Sequence, residues 1–137
     1  MKNSNKEKAS TLAKSSEKYL DVLKEDYTLN VMLLALRMVK TNSKVLSIGC
    51  GAGREVKYLA NELNCNVTGV DYDEEMIGYS KKIEPKAEYI CQDALKFIRK
   101  DNYDYVVCLW NTINFLKKSE RKKLIEVCYK NLKGGGD

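Results

Sequence analysis

The sequence predicts an α/β fold in which a parallel sheet, in strand order 3-2-1-4, carries helices on both faces and follows a helical N-terminal lead. The first observation behind this prediction is that short β-branched, apolar stretches alternate with stretches of helical periodicity. The second is that consecutive parallel strands need crossover connections, which are right-handed and place helices against the sheet. The third is a glycine-rich stretch after the first strand, where sheets of this kind bind ligands.

The helical lead is predicted over residues 1–43 and the sheet-forming domain over residues 44–137. Apolar residues recur at helical spacing in the lead, at Leu29, Met32, Leu33 and Leu36 and, before them, at Leu12, Tyr19, Leu20 and Leu23. The first 40 or so residues are therefore expected to form one or two helices.

Four strands are predicted where β-branched and apolar residues cluster, at Lys44–Ile48, Asn66–Val70, Glu88–Cys91 and Tyr103–Trp110. Helices are predicted at the stripe of Val56, Leu59, Ala60 and Leu63, over Glu74–Ile83, over Ala94–Arg99, and along Leu124, Val127, Cys128 and Asn131. Pro85 ends the second of these helices. Ser119 is expected to cap the last helix and Gly134 to stop it.

Composition excludes several classes of function. The chain has no histidine, no C-x-x-C and five widely spaced cysteines, so we expect reduced thiols and neither a zinc site nor a histidine-based nucleophile. The net charge is +5, and the lysine-rich "KKSERKK" is interpreted as a solvated helix start, so no specific nucleic-acid partner is expected. No apolar run approaches the roughly 20 residues that span a bilayer, and a cytoplasmic location is expected.

The stretch "VLSIGCGAGRE" places three alternating glycines directly after the first strand. Gly49 permits a tight turn, Gly51 allows a ligand to approach the backbone, and Gly53 lets the next helix begin close to the strand. A plain glycine-rich turn is the structural alternative. A dinucleotide fingerprint needs a glycine in the sixth position, where this chain has Arg54, and this argues against a pyrophosphate ligand.

Acidic residues follow the second and third strands. Asp71 lies about 20 residues after Gly49, the spacing at which a carboxylate binds a ribose diol. Asp71 could instead cap the next helix, although Asp73 is better placed for that role. Asp93 either accepts from an adenine amino group or caps the helix that begins at Ala94, and both roles are compatible.

In these stretches the chain resembles a class I S-adenosylmethionine-dependent methyltransferase of the small-molecule type, which has a Rossmann-like sheet. The matching pieces are "VLSIGCGAGRE" for the glycine motif, "VTGVDYDEEMIGYSKK" for the acidic ribose motif and "CQDALKF" for the adenine-contacting motif. "YDYVVCLWNTINFL" is similar to the fourth strand with its following loop, and "NLKGGG" to the turn after the next helix. The resemblance covers residues 44–136 and the helical lead.

The resemblance implies that S-adenosyl-L-methionine is the cofactor. It assigns cofactor-binding roles to Gly49, Cys50, Gly51, Gly53, Arg54, Asp71, Tyr72, Met76, Asp93, Ala94, Trp110 and Asn111. In this assignment the glycine-motif backbone lines the methionine part, with Arg54 near its carboxylate. Asp71 holds the ribose, and Tyr72 and Met76 flank the adenine, whose edge meets Asp93 and Ala94. Trp110 and Asn111 face the methyl-donor end.

The implied function is methyl transfer to an unidentified small-molecule acceptor. The methyl donor is already activated, so the enzyme mainly aligns the reacting atoms, and the reaction needs no metal and no histidine. No carboxylate or tyrosine sits in a specific constellation, so no catalytic residue is assigned. One alternative is an NAD-binding oxidoreductase domain, against which Arg54 argues.

The other alternative is a catalytically inactive cofactor-binding fragment or interaction module. The family's sheet continues with further strands, whereas this sequence stops at Asp137, so the domain is expected to be C-terminally incomplete. The fourth strand, with Val106, Val107, Cys108 and Leu109, is then an exposed edge. Such edges invite pairing, which makes self-association through this strand a candidate interaction.

Overall fold

The computed structural model describes residues 26–100, 102–109 and 116–135, and of residues 26–30 and 135 the backbone only. The predictions that fall on residues 1–25 and on Trp110 and Asn111 lie outside this part of the chain. The elements follow in the order α1 (Asp26–Leu36), β1 (Lys44–Ile48), α2 (Arg54–Asn61), β2 (Asn66–Asp71), α3 (Glu74–Ile83), β3 (Glu88–Cys91), β4 (Tyr105–Val107) and α4 (Lys118–Asn131). Short 3-10 turns occur at Ala94–Lys96 and Lys133–Gly135.

The four strands form one parallel sheet in the order β3-β2-β1-β4, as the sequence predicts. In this register Ile48 of β1 lies beside Val70 of β2, and Asp71 at the end of β2 lies beside Cys91 of β3. The carboxyl ends of three neighbouring strands therefore meet at one edge of the sheet, which is where parallel sheets bind their ligands.

Successive side chains of the strands point to opposite faces of the sheet and belong to two hydrophobic clusters, one on each face. Val45 and Val67 join the cluster that includes residues of α1, α2 and α3, whereas Leu46 and Val70 join the cluster formed with the 94–103 segment and α4. Helical elements thus cover both faces, as predicted, because the strands bury apolar side chains on both sides. No helix of the described residues is long and apolar enough to span a membrane.

The prediction of a helix over Ala94–Arg99 is wrong. Only a 3-10 turn forms at Ala94–Lys96, after which the backbone is extended at Phe97. The cause is Asn131, at the end of α4, whose amide donates to Phe97 O at 3.0 Å and accepts from Arg99 N at 2.7 Å. These bonds engage the backbone groups that a longer helix would use within itself.

The last two elements also differ from their predicted bounds. β4 is shorter than predicted, and Tyr103 instead forms an isolated bridge with Leu132. Ser119 does not cap α4, because the helix already begins at Lys118 and Lys117 occupies the N-cap position. The Lys117 backbone N–H donates to the Glu120 carboxylate at 3.0 Å, which satisfies a group at the helix start.

Candidate functional site

The glycine loop, residues 49–53, leaves β1 and crosses the end of β2. Gly49 N and Cys50 N both donate to Val70 O, at 2.7 and 3.2 Å. Gly49, Gly51 and Gly53 have φ of 65°, 51° and 78°, in the left-handed region that glycine enters without steric cost. The three glycines are therefore required by the path of the loop, which passes from strand to helix in five residues.

Gly53 is also required by the closeness of α3. A Cβ on Gly53 would lie 2.7 Å from Ser80 Oγ and 3.2 Å from Ser80 Cα. Any other residue would have to push α3 away from the loop, so the absence of a side chain at Gly53 lets the two elements touch. Ser80 itself is fully buried, and its hydroxyl donates to Gly51 O at 2.7 Å.

Cys50 is buried as a whole residue, and its backbone is bonded within the protein, since Cys50 N donates to Val70 O at 3.2 Å and Cys50 O accepts from Gly53 N at 2.9 Å. The Cys50 side chain is fully buried and packs over Gly69, where a Cβ would come within 3.0 Å of the sulfur. Burial raises the pKa of the Cys50 thiol well above its usual value, and the carboxylates of Asp71 and Glu55 raise it further. Cys50 therefore remains a neutral thiol and supplies no thiolate to the site.

Asp71 joins the glycine loop to the end of β2. Its Oδ2 accepts from Gly51 N at 3.0 Å, and its Oδ1 accepts from Asp73 N at 2.9 Å. Burial raises the pKa of Asp71, while these backbone donors act in the opposite direction. Each carboxylate oxygen has two lone pairs, so the side chain can hold the loop and still accept further hydrogen bonds.

Tyr72 and Met76 follow Asp71 on the way into α3. Met76 is buried and Tyr72 is half-buried. Burial, followed by the charges of Asp71, Asp73 and Asp93, raises the pKa of Tyr72 above its usual value, so the phenol is a hydrogen-bond donor and not a base at neutral pH. Asp73 caps α3 by accepting from Glu75 N at 2.9 Å and Met76 N at 3.4 Å, the role predicted for it.

Asp93 performs one of its two predicted roles. Its Oδ1 accepts from Leu95 N at 3.0 Å and caps the 3-10 turn, in which Ala94 is buried. The other role, contact with an adenine edge, stays a prediction.

Arg54 departs from the rest of the predicted set. It begins α2 and lines a groove of about 260 Å³ between α1 and α2, together with Met32, Lys57, Tyr58, Asn61 and Glu62. Its Nη1 is buried and has no hydrogen-bond partner in the described structure, and burial lowers the pKa of the guanidinium. The predicted contact of Arg54 with the cofactor carboxylate stays untested.

Two buried pairs near the loop were missed by the sequence analysis. Ser80 is one partner in the contact with Gly51. In the other pair, Ser47 in β1 donates to Glu55 Oε1 at 2.9 Å, and both residues are almost fully buried. No local pattern marks either pair, because each depends on which side of a helix meets the loop or the strand.

The structure thus brings most of the predicted positions to the carboxyl edge of the sheet. The positions that follow β1, β2 and β3 there are Gly49, Cys50, Gly51, Gly53, Asp71, Tyr72, Asp93 and Ala94. Within the described residues, no group of three or more histidine, cysteine, aspartate or glutamate side chains is arranged to hold a metal ion. This edge of the sheet therefore presents backbone groups and carboxylates, which suit a ligand that has no phosphate group.

Comparison with known protein families gives a match to the family described as "Methyltransferase domain", over residues 45–136. Among curated proteins, the carboxy-S-adenosyl-L-methionine synthase of Shewanella halifaxensis is 30% identical over 112 residues, which cover 75% of this chain and 45% of that protein. The chain therefore spans about half the length of the curated relatives it matches.

Solved structures give the same fold. A TehB-like SAM-dependent methyltransferase from Corynebacterium glutamicum superposes with a TM-score of 0.74 at 24% identity, over 93% of this chain and 68% of that one. The Haemonchus contortus phosphoethanolamine N-methyltransferase 2, solved with phosphomonomethylethanolamine and S-adenosylhomocysteine, superposes with a TM-score of 0.67 at 28% identity, over 78% and 26%.

Proposed function

Because the chain belongs to the methyltransferase-domain family, we propose that it binds S-adenosyl-L-methionine at the glycine loop and takes part in methyl transfer to a small-molecule acceptor. The expectation that the chain belongs to a methyltransferase family is confirmed. The S-adenosylhomocysteine bound to a 28%-identical neighbour supports S-adenosyl-L-methionine as the cofactor. The acceptor is unidentified, and the activity of the whole protein belongs to the proposal.

One observation carries the proposal for this chain: the hydrogen bond from Gly51 N to Asp71 Oδ2. This bond holds the Gly51 backbone next to the Asp71 carboxylate. The glycine backbone allows close approach of the methionine part, and the carboxylate can accept hydrogen bonds from the ribose hydroxyls. These residues fit the cofactor, because a sulfonium nucleoside carries a ribose diol and a zwitterionic amino-acid part but no phosphate. Arg54 stands where a pyrophosphate-binding fingerprint has its third glycine, which is consistent with S-adenosyl-L-methionine and not with a dinucleotide.

The placement of the glycine loop and of the strand ends supports most of the site assignments, whereas those of Arg54, Trp110 and Asn111 rest on the sequence resemblance alone. We propose that Gly49, Cys50, Gly51 and Gly53 line the methionine part and that Asp71 accepts from the ribose. Tyr72, Met76, Asp93 and Ala94 surround the adenine, and Arg54, Trp110 and Asn111 complete the cofactor set. The division into a lead of residues 1–43 and a cofactor-binding domain of residues 44–137 belongs to the proposal.

When bound, S-adenosyl-L-methionine would supply an activated methyl group for displacement by a nucleophile of the acceptor, with S-adenosylhomocysteine as the leaving group. The residues of this chain would hold and orient the cofactor. The glycine-loop backbone and Asp71 fix the two halves of the cofactor, so that most of the rate enhancement arises from alignment. The neutral Cys50 and Tyr72 side chains do not compete as nucleophiles at neutral pH. No side chain is assigned as a base.

A second candidate comes from the curated relative. Its name states that it makes carboxy-S-adenosyl-L-methionine, so in that protein the cofactor is itself the molecule that is modified. The 30% identity over three quarters of this chain supports including this reaction class. Mass spectrometry after incubation of the protein with S-adenosyl-L-methionine and a small-molecule cell extract, which supplies both methyl acceptors and carboxyl donors, separates the two candidates. A methylated acceptor supports methyl transfer, and a heavier cofactor supports the second.

Two further proposals concern the location of the protein in the cell and its self-association. None of the five cysteines, all of which lie in the described part of the chain, is in a disulfide bond, as is usual in a reducing compartment, and this supports the cytoplasm as the location. β4 is the outer strand of the described sheet, and its side chains are half-buried, which supports self-association through this edge. Concentration-dependent sedimentation of the protein tests the second of these proposals.

The deciding experiment is titration calorimetry of the 137-residue protein with S-adenosyl-L-methionine and, separately, with NAD. We expect binding of the first ligand only, and we expect Gly51→Val to abolish it because its Cβ fills the space of closest approach. Since Gly51 has a positive φ, this variant should also lose about 1–3 kcal/mol of stability, which thermal unfolding measures. Normal cofactor binding by a folded Gly51→Val variant would show that the loop is not the site.

A further inference from the structure

The peptide groups of Gly51 are held from two sides by different elements. Its N–H donates to Asp71 Oδ2 at 3.0 Å, at the end of β2, and its carbonyl accepts from Ser80 Oγ at 2.7 Å, in the second half of α3. Gly51 lies at φ 51°, between two more glycines with positive φ. A stretch of such backbone keeps one shape only where its surroundings determine that shape.

Ser80 is suited to this task by its burial and by its closeness to the loop. It is 0% exposed, so its hydroxyl has no competing water, and it directs the Gly51 carbonyl toward α3. The position of a Cβ on Gly53 lies 2.7 Å from the same hydroxyl oxygen. Ser80 therefore lies against the loop at two of its three glycines.

We propose that Ser80 is a positioning residue of the cofactor site, which fixes the glycine loop in the shape that accepts the methionine part of S-adenosyl-L-methionine. The inference rests on the proposed function. Ser80 acts through the Gly51 carbonyl and not on the cofactor itself. Without the hydroxyl, the loop has to be ordered during binding, and ordering that is left to the binding step lowers affinity.

The test compares Ser80→Ala with Thr68→Val, a matched control. Thr68 is also buried, and its hydroxyl accepts from Tyr103 OH at 2.9 Å and donates to Glu88 Oε1 at 3.1 Å. Both changes remove one buried hydroxyl and its hydrogen bonds, but Thr68 has no contact with the glycine loop. Thermal unfolding of both variants establishes that each is folded and how much stability each has lost.

The readout is the affinity for two ligands measured by calorimetry. S-adenosylhomocysteine contains the amino-acid part, and 5′-methylthioadenosine keeps the adenosine and lacks that part. We expect Ser80→Ala to bind S-adenosylhomocysteine about tenfold more weakly and 5′-methylthioadenosine less than threefold more weakly. We expect Thr68→Val to change neither affinity more than threefold. An unchanged affinity of Ser80→Ala for S-adenosylhomocysteine, or an equal loss for both ligands, overturns the proposal.

A second measurement needs no ligand and separates this proposal from the proposed function. Hydrogen exchange at the Gly51 amide, which donates to Asp71, reports on the loop alone. We expect this exchange to be at least tenfold faster in Ser80→Ala and unchanged in Thr68→Val. If the parent protein binds neither ligand, the proposed function fails. Hydrogen exchange at the Gly51 amide then still tests whether Ser80 holds the glycine loop. Unchanged exchange at Gly51 in Ser80→Ala overturns its positioning role.

Discussion

At the residue scale, Asp71 already accepts hydrogen bonds from backbone groups of the protein before any ligand arrives. Its carboxylate holds the backbone of Gly51 on one oxygen and that of Asp73 on the other. Removing it therefore changes both a ribose acceptor and the conformation of the glycine loop. Asp73, by contrast, accepts only from the first turn of α3 among the contacts described for its side chain.

Asp71→Ala is expected to weaken S-adenosyl-L-methionine binding by about 1.5–3 kcal/mol, the range for a hydrogen bond to a charged group. Asp73→Ala is expected to cost about 1 kcal/mol of stability, as the loss of a helix cap does, and to change affinity little. Calorimetry and thermal unfolding of both variants separate the two effects. Equal losses of affinity would show that the role of Asp71 is structural only.

Two glycines provide a second contrast at this scale. Gly53 has a φ of 78°, and its Cβ position collides with Ser80, whereas Gly78, in the middle of α3, has open space around its Cβ position. We expect Gly53→Ala to destabilise the protein by about 1–3 kcal/mol. Gly78→Ala should stabilise it by about 0.5–1 kcal/mol, because alanine loses less backbone entropy in a helix. Urea unfolding of both variants gives the two signs, and a stable Gly53→Ala would contradict the described loop.

At the element scale, the end of α4 determines the path of the chain before β4. Asn131 is fully buried and, besides its bonds to Phe97 and Arg99, donates to Val127 O at 2.8 Å. Its own carbonyl accepts from Asn102 N at 3.1 Å and Tyr103 N at 2.9 Å. One side chain and one peptide group thus attach the 97–103 segment to the helix.

Asn131→Leu is expected to destabilise the protein by about 2–4 kcal/mol, because it removes the partners of the buried Phe97 O and the part-buried Arg99 N. Urea unfolding measures the loss. Asn131→Asp keeps an acceptor for Arg99 N but turns a buried carboxylate oxygen toward Phe97 O and Val127 O, so it should be at least as destabilised at neutral pH. A Leu variant as stable as the parent would show that water replaces the amide.

A second link between elements depends on pH. Arg99 pairs with Glu88 at the start of β3, with Nη2 3.0 Å from Oε2, and lowers the pKa of Glu88 below its usual value of 4.5. The contribution of a carboxylate with a lowered pKa is present above its unfolded pKa and is lost as pH falls through its folded pKa. Glu88→Gln should therefore melt below the parent at pH 7, and the difference should shrink below pH 4.5.

Melting of both proteins between pH 3 and pH 7 checks this expectation. Glu126→Gln, which removes an exposed carboxylate of α4, is the control and should show no such convergence. A difference between Glu88→Gln and the parent that stays constant with pH would mean that the pair adds no stability through its charge. Because Glu88 is half-exposed, the effect is expected to be small.

Local patterns account for the elements that were predicted well. The bounds of β1, α3 and β3 follow from apolar runs and from the turn residues beside them, and these signals lie within each element. The helix over Ala94–Arg99 was wrong because the decisive contacts come from Asn131, 32 to 34 residues away. Ser80 and Gly51 are 29 residues apart, so the contact that holds the loop left no signal in either stretch.

At the scale of the whole molecule, ligand binding and folding are one equilibrium. A ligand that binds the folded chain alone raises its stability, by about 2.7 kcal/mol at a ligand concentration of 100 times Kd. We therefore expect S-adenosyl-L-methionine to raise the melting temperature in a concentration-dependent way, and NAD to leave it unchanged. Gly51→Val should not respond to either ligand. A shift with NAD that equals the shift with S-adenosyl-L-methionine would contradict the cofactor assignment.

The central place of β1 in the sheet also has a consequence for the order of folding. β1 pairs with β2, which follows it closely, and with β4, which the chain reaches only much later. The bond from Lys44 N to Asp104 Oδ2, at 2.8 Å, joins residues 60 positions apart. During synthesis, a chain that has emerged through Cys91 can pair β1, β2 and β3 but leaves one edge of β1 open. Closure of that edge is the step of highest contact order, so it should limit the folding rate and mark the period of greatest exposure to aggregation.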